Sequence, residues 1–247
     1  MCSKSVYPES KRVGLGLLIR YDWRFGLLSH LYKYIPAVLI FLLSCASLQA
    51  GVGYDTAAGI LPPVRLSLGD YLLHTFRGIP VYHLVRQNAD NAFILPALWL
   101  ILNLYPTFLV GGYPLNDLHG YGQQILTRSG TRTRWWLRKI CWNVSCVFVF
   151  YLVGYAVLLL YACVTGSPAF EATASVADHY FLSGTGTVPT AQWLPYALVL
   201  PFLTTAAVCL LQLCLSLFIR PILSYIAVVC LMVASSYFCT PLLIGNC

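Results

Sequence analysis

Five long apolar stretches constrain this chain before anything else does: Tyr34–Gln49, Ala92–Tyr113, Cys141–Thr165, Trp193–Phe218 and Ile222–Ile244. The second holds 22 residues, which as a helix rise about 33 Å. That is enough for a hydrocarbon core about 30 Å thick. Lipid supplies no hydrogen-bond partners for the backbone, and a helix satisfies its amides within one segment. The expected fold is therefore an all-α, polytopic transmembrane helix bundle of five spans. Pro96 and Pro106 lie inside the second stretch and predict kinks, because proline removes a helical donor. Composition agrees. Apolar residues make up 59% of the chain, charged residues 9%, and the mean hydropathy is +0.73. A soluble domain carries about 25% charged residues. No polar stretch is long enough for a separate domain, so residues 1–247 read as one transmembrane domain.

The charges orient it. Residues 114–140 hold Arg128, Arg132, Arg134, Arg138 and Lys139 against one acid, Asp117. A basic segment between two spans is retained on the cytosolic side. With a cytosolic N-terminus and alternating spans, twelve of the fifteen Lys and Arg residues fall inside. Only Arg65, Arg77 and Arg86 fall outside. Residues 51–91 and 166–192 are then outer loops, and the second of these has no Lys or Arg. The expected location is the cell membrane, multi-pass, in contact with lipid. The net charge of +7 sits beside spans, where orientation and anionic lipid account for it, so nucleic acid is not implied.

Residues 1–33 lack the shape of a signal peptide, because basic residues continue past the first apolar patch. Val13–Tyr32 alternates apolar residues with Arg20, Asp22, Arg24 and His30, which suits a helix lying in the interface with Trp23 and Phe25 as anchors. Leu66–Phe76 reads as a short helix, at the surface or dipping into the membrane. Within the basic segment Arg128, Arg132, Trp135 and Lys139 recur at helical spacing and share one face; Arg134 and Arg138 share another. Trp135 and Trp136 would sit at headgroup level where the chain re-enters the bilayer.

Catalytic chemistry finds little support. There is no GxxxxGK[ST] phosphate loop and no HExxH. Most of the ten cysteines fall in apolar runs, where cysteine behaves as a small hydrophobic residue, and no CxxC occurs. No cofactor or metal is expected, and no enzyme activity. Asp117 with His119, and His74 with His83, read as polar surface; only His74, His83, Asp70 and Asp90 could supply an acid or His cluster at one membrane face. Inside the spans the polar residues are neutral. Asn143 and Ser145 read as helix–helix contacts, whereas Asn103, Thr204, Thr205 and Gln212 are also candidates for lining a substrate path. A proton- or ion-coupled transporter usually carries charged groups at membrane depth, so transport by this chain would be driven from elsewhere.

One further pattern stands in the basic segment: Gly122, then Ile125-Leu126, Thr131-Arg132 and Lys139. With a surface helix, a span, an outer loop and a second span before it, this resembles the permease subunits of type-2 ABC exporters. The passages Gly69–Gly78 and Gly111–Asn143 look like uncharacterised permease-type proteins of Gram-positive bacteria. The resemblance implies a separate cytosolic ATP-binding-cassette ATPase docking on Asp117, Gly122, Arg128, Arg132 and Arg134 and on the N-terminal helix. It also implies a second permease chain to complete the path. Trp135, Trp136, Arg138, Lys139 and Trp23 would set orientation and interface. The family has six spans and this chain shows five; either the sixth is missing or Leu66–Phe76 enters the membrane. The alternative function is a non-transporting scaffold or sensor that binds a partner through the outer segment Gly51–Asn91.

Overall fold

The computed structural model describes residues 15–76, 95–112, 132–181 and 190–237. Among them the chain is all-helical apart from one isolated parallel bridge between Ser67 and Ser167. Eight α-helices follow in order: α1 (Leu15–Asp22), α2 (Ile35–Ala57), α3 (Leu68–Phe76), α4 (Ala97–Gly111), α5 (Arg132–Thr165), α6 (Ala174–Val176), α7 (Thr190–Phe218) and α8 (Pro221–Tyr237). A π-turn, Trp23–Leu27, and a 3-10 segment, Leu28–Tyr34, join α1 to α2. Three apolar segments are long enough to cross a membrane: Ser29–Ala57, Trp135–Thr165 and Gln192–Phe218. Two shorter apolar helices accompany them. This is a membrane helix bundle.

Side-chain bonds give the direction of each helix. Tyr34 donates to the Cys146 carbonyl at 3.2 Å, and Tyr161 donates to Gln49 Oε1 at 2.5 Å. Positions rise together, so α2 and α5 run parallel. Asn143 bonds Cys209 and Tyr155 bonds Leu198, so α7 runs opposite to α5. Asn103 meets Thr205 and Thr107 meets Cys209, so α4 runs with α7. Tyr225 donates to the Leu104 carbonyl, and Met232 packs with Leu100, so α8 opposes α4. One end of the bundle thus holds the starts of α2, α5 and α8 and the ends of α4 and α7. It also holds Arg138 and Lys139, and is called here the basic end.

Close contact of α2 with α5 depends on Gly154. A Cβ there would fall on the ring of Phe41. That ring is buried among Ala37, Leu102, Val147, Phe150 and Tyr151. Outward positions are apolar too: Leu39, Leu43, Phe148, Leu152 and Leu160 are all exposed, as lipid-facing positions should be. α5 rises about 51 Å over 34 residues, roughly 20 Å more than a hydrocarbon core.

Four expectations change. The first span does not end at Gln49; α2 continues to Ala57, so the start of the expected outer loop is helical. The third begins nine residues ahead of Cys141, at Arg132, so Arg138 and Lys139 belong to the helix. Pro96 is not an internal kink but the N-cap of α4, whereas Pro106 does lie within it. Finally, α3 is no surface helix, because Leu68, Asp70, Tyr71, Leu72 and Thr75 are buried.

α3 accounts for the shortness of α4. Ser67 bridges Ser167 at the end opposite the basic one, and Phe76, at the other terminus of α3, packs on Phe41, Tyr151 and Tyr155 in mid-bundle. α3 therefore descends half the bundle, antiparallel to α2. α4 descends the remaining half in the same direction, from the level of Tyr155 to the basic end. The 15 residues of α4 rise only about 22 Å, and the two short helices together cover the depth of one span. Backbone interruptions at such depth are tolerated where protein surrounds them.

Candidate functional site

The chemistry concentrates at the basic end. Asp22 closes α1, and the following π-turn carries the chain away while its carboxylate stays fully buried. Arg138 and Lys139, consecutive on α5, both reach it. Arg138 Nε lies 2.8 Å from Asp22 Oδ2 and Lys139 Nζ lies 3.4 Å from Oδ1. All three side chains have zero exposure. Charges removed from water in this way are held by mutual attraction and added hydrogen bonds. The cluster joins α1 to the first turns of α5 across more than a hundred residues of sequence. Reading both cations as orientation and interface residues does not find it. The signal was Asp22 itself, the one acid among the bases of Val13–Tyr32.

The other residues singled out from sequence divide into groups. Asp117, Gly122 and Arg128 lie outside the described residues, as do His83, Asp90 and His119. The backbone of Arg132 and Arg134 opens α5. Trp135 is buried, in edge-on contact with the half-buried Trp136 at 5.7 Å. Trp23 and Phe25 are about half exposed.

Asn103, Thr205 and Gln212 are buried on the α4–α7 seam. Thr205 donates to Asn103 Oδ1 at 2.8 Å, and Asn103 Nδ2 donates to the Trp99 carbonyl at 2.9 Å. Tyr151 joins them from α5, 2.7 Å from Thr205 Oγ1 and 3.0 Å from the Pro201 carbonyl. Asn103, Thr205 and Tyr151 thus bond to one another and to nearby backbone carbonyls, and hold three helices together. Thr204 faces away from them, half-buried, its hydroxyl bonded back to the Leu200 carbonyl. Tyr151 was missed in sequence because a tyrosine in an aromatic-rich span looks like packing.

Beside the ion cluster lies a cavity of about 810 Å³, walled by α2, α4, α5, α7 and α8. Tyr34, Leu109, Trp142 and Tyr225 give it an apolar, aromatic lining, and Lys33, His30 and Gln212 supply polar groups. Among the described residues, no group of three His, Cys, Asp or Glu side chains could hold a metal ion. Among the same residues the buried charges are Asp22, Arg138 and Lys139 at one end and Asp70 toward the other, and the mid-bundle polar groups are neutral.

Fold and site together define a polytopic α-helical membrane protein with a buried ion cluster and an apolar cavity at its basic end. Residues 70–246 match the model of a family described as a protein of unknown function, DUF2705, and the chain belongs to that family. No curated protein and no solved structure matches it.

Proposed function

We propose that the chain is the membrane-spanning subunit of an ATP-binding-cassette exporter, driven by a separate cytosolic ATPase that docks on the segment from Asp117 to Arg134. The observation that carries this reading is the buried Asp22–Arg138–Lys139 cluster. A docking loop can do work only if its displacement reaches the spans. The loop feeds directly into α5, and the cluster ties the first turns of α5 to the N-terminal helix, so a push there moves two elements as one body. Among the described residues the polar groups at mid-bundle are neutral, which fits a transporter powered by a partner rather than by protons or ions crossing it. In this reading the basic end is cytosolic, the membrane is the cell membrane and two chains complete the path. The scaffold alternative would draw on the mostly accessible residues 53–65 of the outer segment, since much of residues 66–76 is packed inside the bundle.

The test is affinity purification from the native host in mild detergent. A stoichiometric cytosolic ATPase is expected with the wild-type chain. It should be lost with Arg128→Glu and Arg134→Glu together. With Asp22→Asn it should still bind, but its ATP hydrolysis should no longer respond to the membrane subunit. Intact protein with no ATPase would overturn the proposal.

A further inference from the structure

We infer that the cavity at the basic end binds one anionic phospholipid, drawn sideways from the adjoining leaflet. The volume of about 810 Å³ lies within the roughly 300–1,000 Å³ typical of ligand sites. The surroundings of its mouth are apolar: Tyr32, Ile35, Phe108 and Ile222 are 63%, 68%, 66% and 75% exposed. In a membrane bundle these residues face lipid, so the ligand arrives from the bilayer and must itself be amphiphilic.

The polar groups select its headgroup. Lys33 lines the cavity, and among the described residues no carboxylate lies within ion-pair distance of it. His30 lines the same site, and the exposed Arg220 immediately precedes the lining residue Pro221. This end therefore offers positive charge and calls for an anion. Gln212 supplies a second, independent demand. It is 2% exposed and lines the cavity. Its Oε1 is buried and accepts no hydrogen bond among the described residues. A buried acceptor left unsatisfied costs free energy, and a headgroup hydroxyl would satisfy it. Phosphate at Lys33 with a glycerol hydroxyl at Gln212 describes a phosphatidylglycerol-like lipid. A choline headgroup has no hydroxyl to donate and brings a cation toward Lys33. The inference stands whether or not an ATPase partner exists.

The experiment is native mass spectrometry of the full chain released from nanodiscs of equimolar phosphatidylglycerol and phosphatidylcholine. One retained phosphatidylglycerol is expected, favoured about fivefold, the effect of one basic residue near an anionic headgroup. Lys33→Glu should abolish the preference and Lys33→Arg should keep it. Gln212→Leu should lower retention while leaving unfolding in lipid-free detergent unchanged or improved, since it removes an unsatisfied buried acceptor. Should either variant fold poorly, Gly112→Trp replaces it. Gly112 borders the cavity, a Cβ there meets no atom within 4 Å, and its φ of −90° admits a side chain. Equal retention of both lipids by wild type, or an unchanged preference in Lys33→Glu, would overturn the inference. A lipid-free dimer broken by the same variants would do so too, by placing a second copy at the site.

Discussion

At the basic end, Asp22 is gripped by two cations and a cavity opens beside it. At the other end, Asp70 is equally buried and, among the described residues, accepts from neutral donors: Ser67 N and Oγ, and Thr173 N and Oγ1, at 2.7–3.0 Å. Ser67 and Asp70 form a reciprocal cap on α3, with the Asp70 amide donating back to Ser67 Oγ. Backbone bonds link Leu68 with Ser167 and Ser167 with Leu66. Nearby, Tyr180 donates to Asp55, and its hydroxyl is pushed up to about 12, first by burial and then by that carboxylate. An apolar cluster of Leu48, Tyr71, Leu158 and Val176 fills the space beneath. One carboxylate is thus held by charge next to open volume. The other is held by a dense set of short-range bonds next to a filled core. The first arrangement suits an end that receives force or ligand, and the second suits an anchor.

The largest expected effect tests the charged end. Asp22→Ala removes the carboxylate that pairs two buried cations and should cost about 3–5 kcal/mol, read as a lowered thermal unfolding midpoint by circular dichroism in detergent. Asp70→Asn keeps the shape but weakens charge-assisted bonds, and should cost about 1.5–3 kcal/mol in the same assay. A larger loss at Asp70 would reverse the comparison. Gly166→Ala probes the density of the anchored end: its Cβ would fall on the Leu66 carbonyl, for a cost of about 1–3 kcal/mol. Gly112→Ala, in open space at the other end, should stay within about 0.5 kcal/mol; similar losses at both glycines would remove the contrast in packing. A further small effect is expected at the seam between the ends. Thr205→Ala should cost about 0.6 kcal/mol, the average for a hydrogen bond between membrane helices. Thr204→Ala should lie within error of wild type.

Much of the architecture was legible in the chain. Long apolar runs force helices because lipid offers the backbone no alternative partner, and this holds for α2, α5 and α7 whatever they pack against. The helical start at Leu15–Asp22 was legible in the apolar residues that the charges of Val13–Tyr32 interrupt. The site was legible only in part. Asn103 and Thr205 were recognisable as polar residues in apolar surroundings. Tyr151 was not, because its hydroxyl matters only opposite Thr205, 54 positions later.

By itself the sequence determined that this is an α-helical membrane protein with one strongly basic end, since hydropathy and charge act on each segment independently of its neighbours. Tertiary structure decided the rest. Asp22 meets Arg138 and Lys139 only when α1 lies against α5, and burial then turns apparent surface charges into an internal cluster. α3 enters the bundle because the cap at Ser67 and Asp70 and the bonds to Ser167 and Thr173 satisfy its polar start. Those partners lie about a hundred residues away, so no local pattern could announce them.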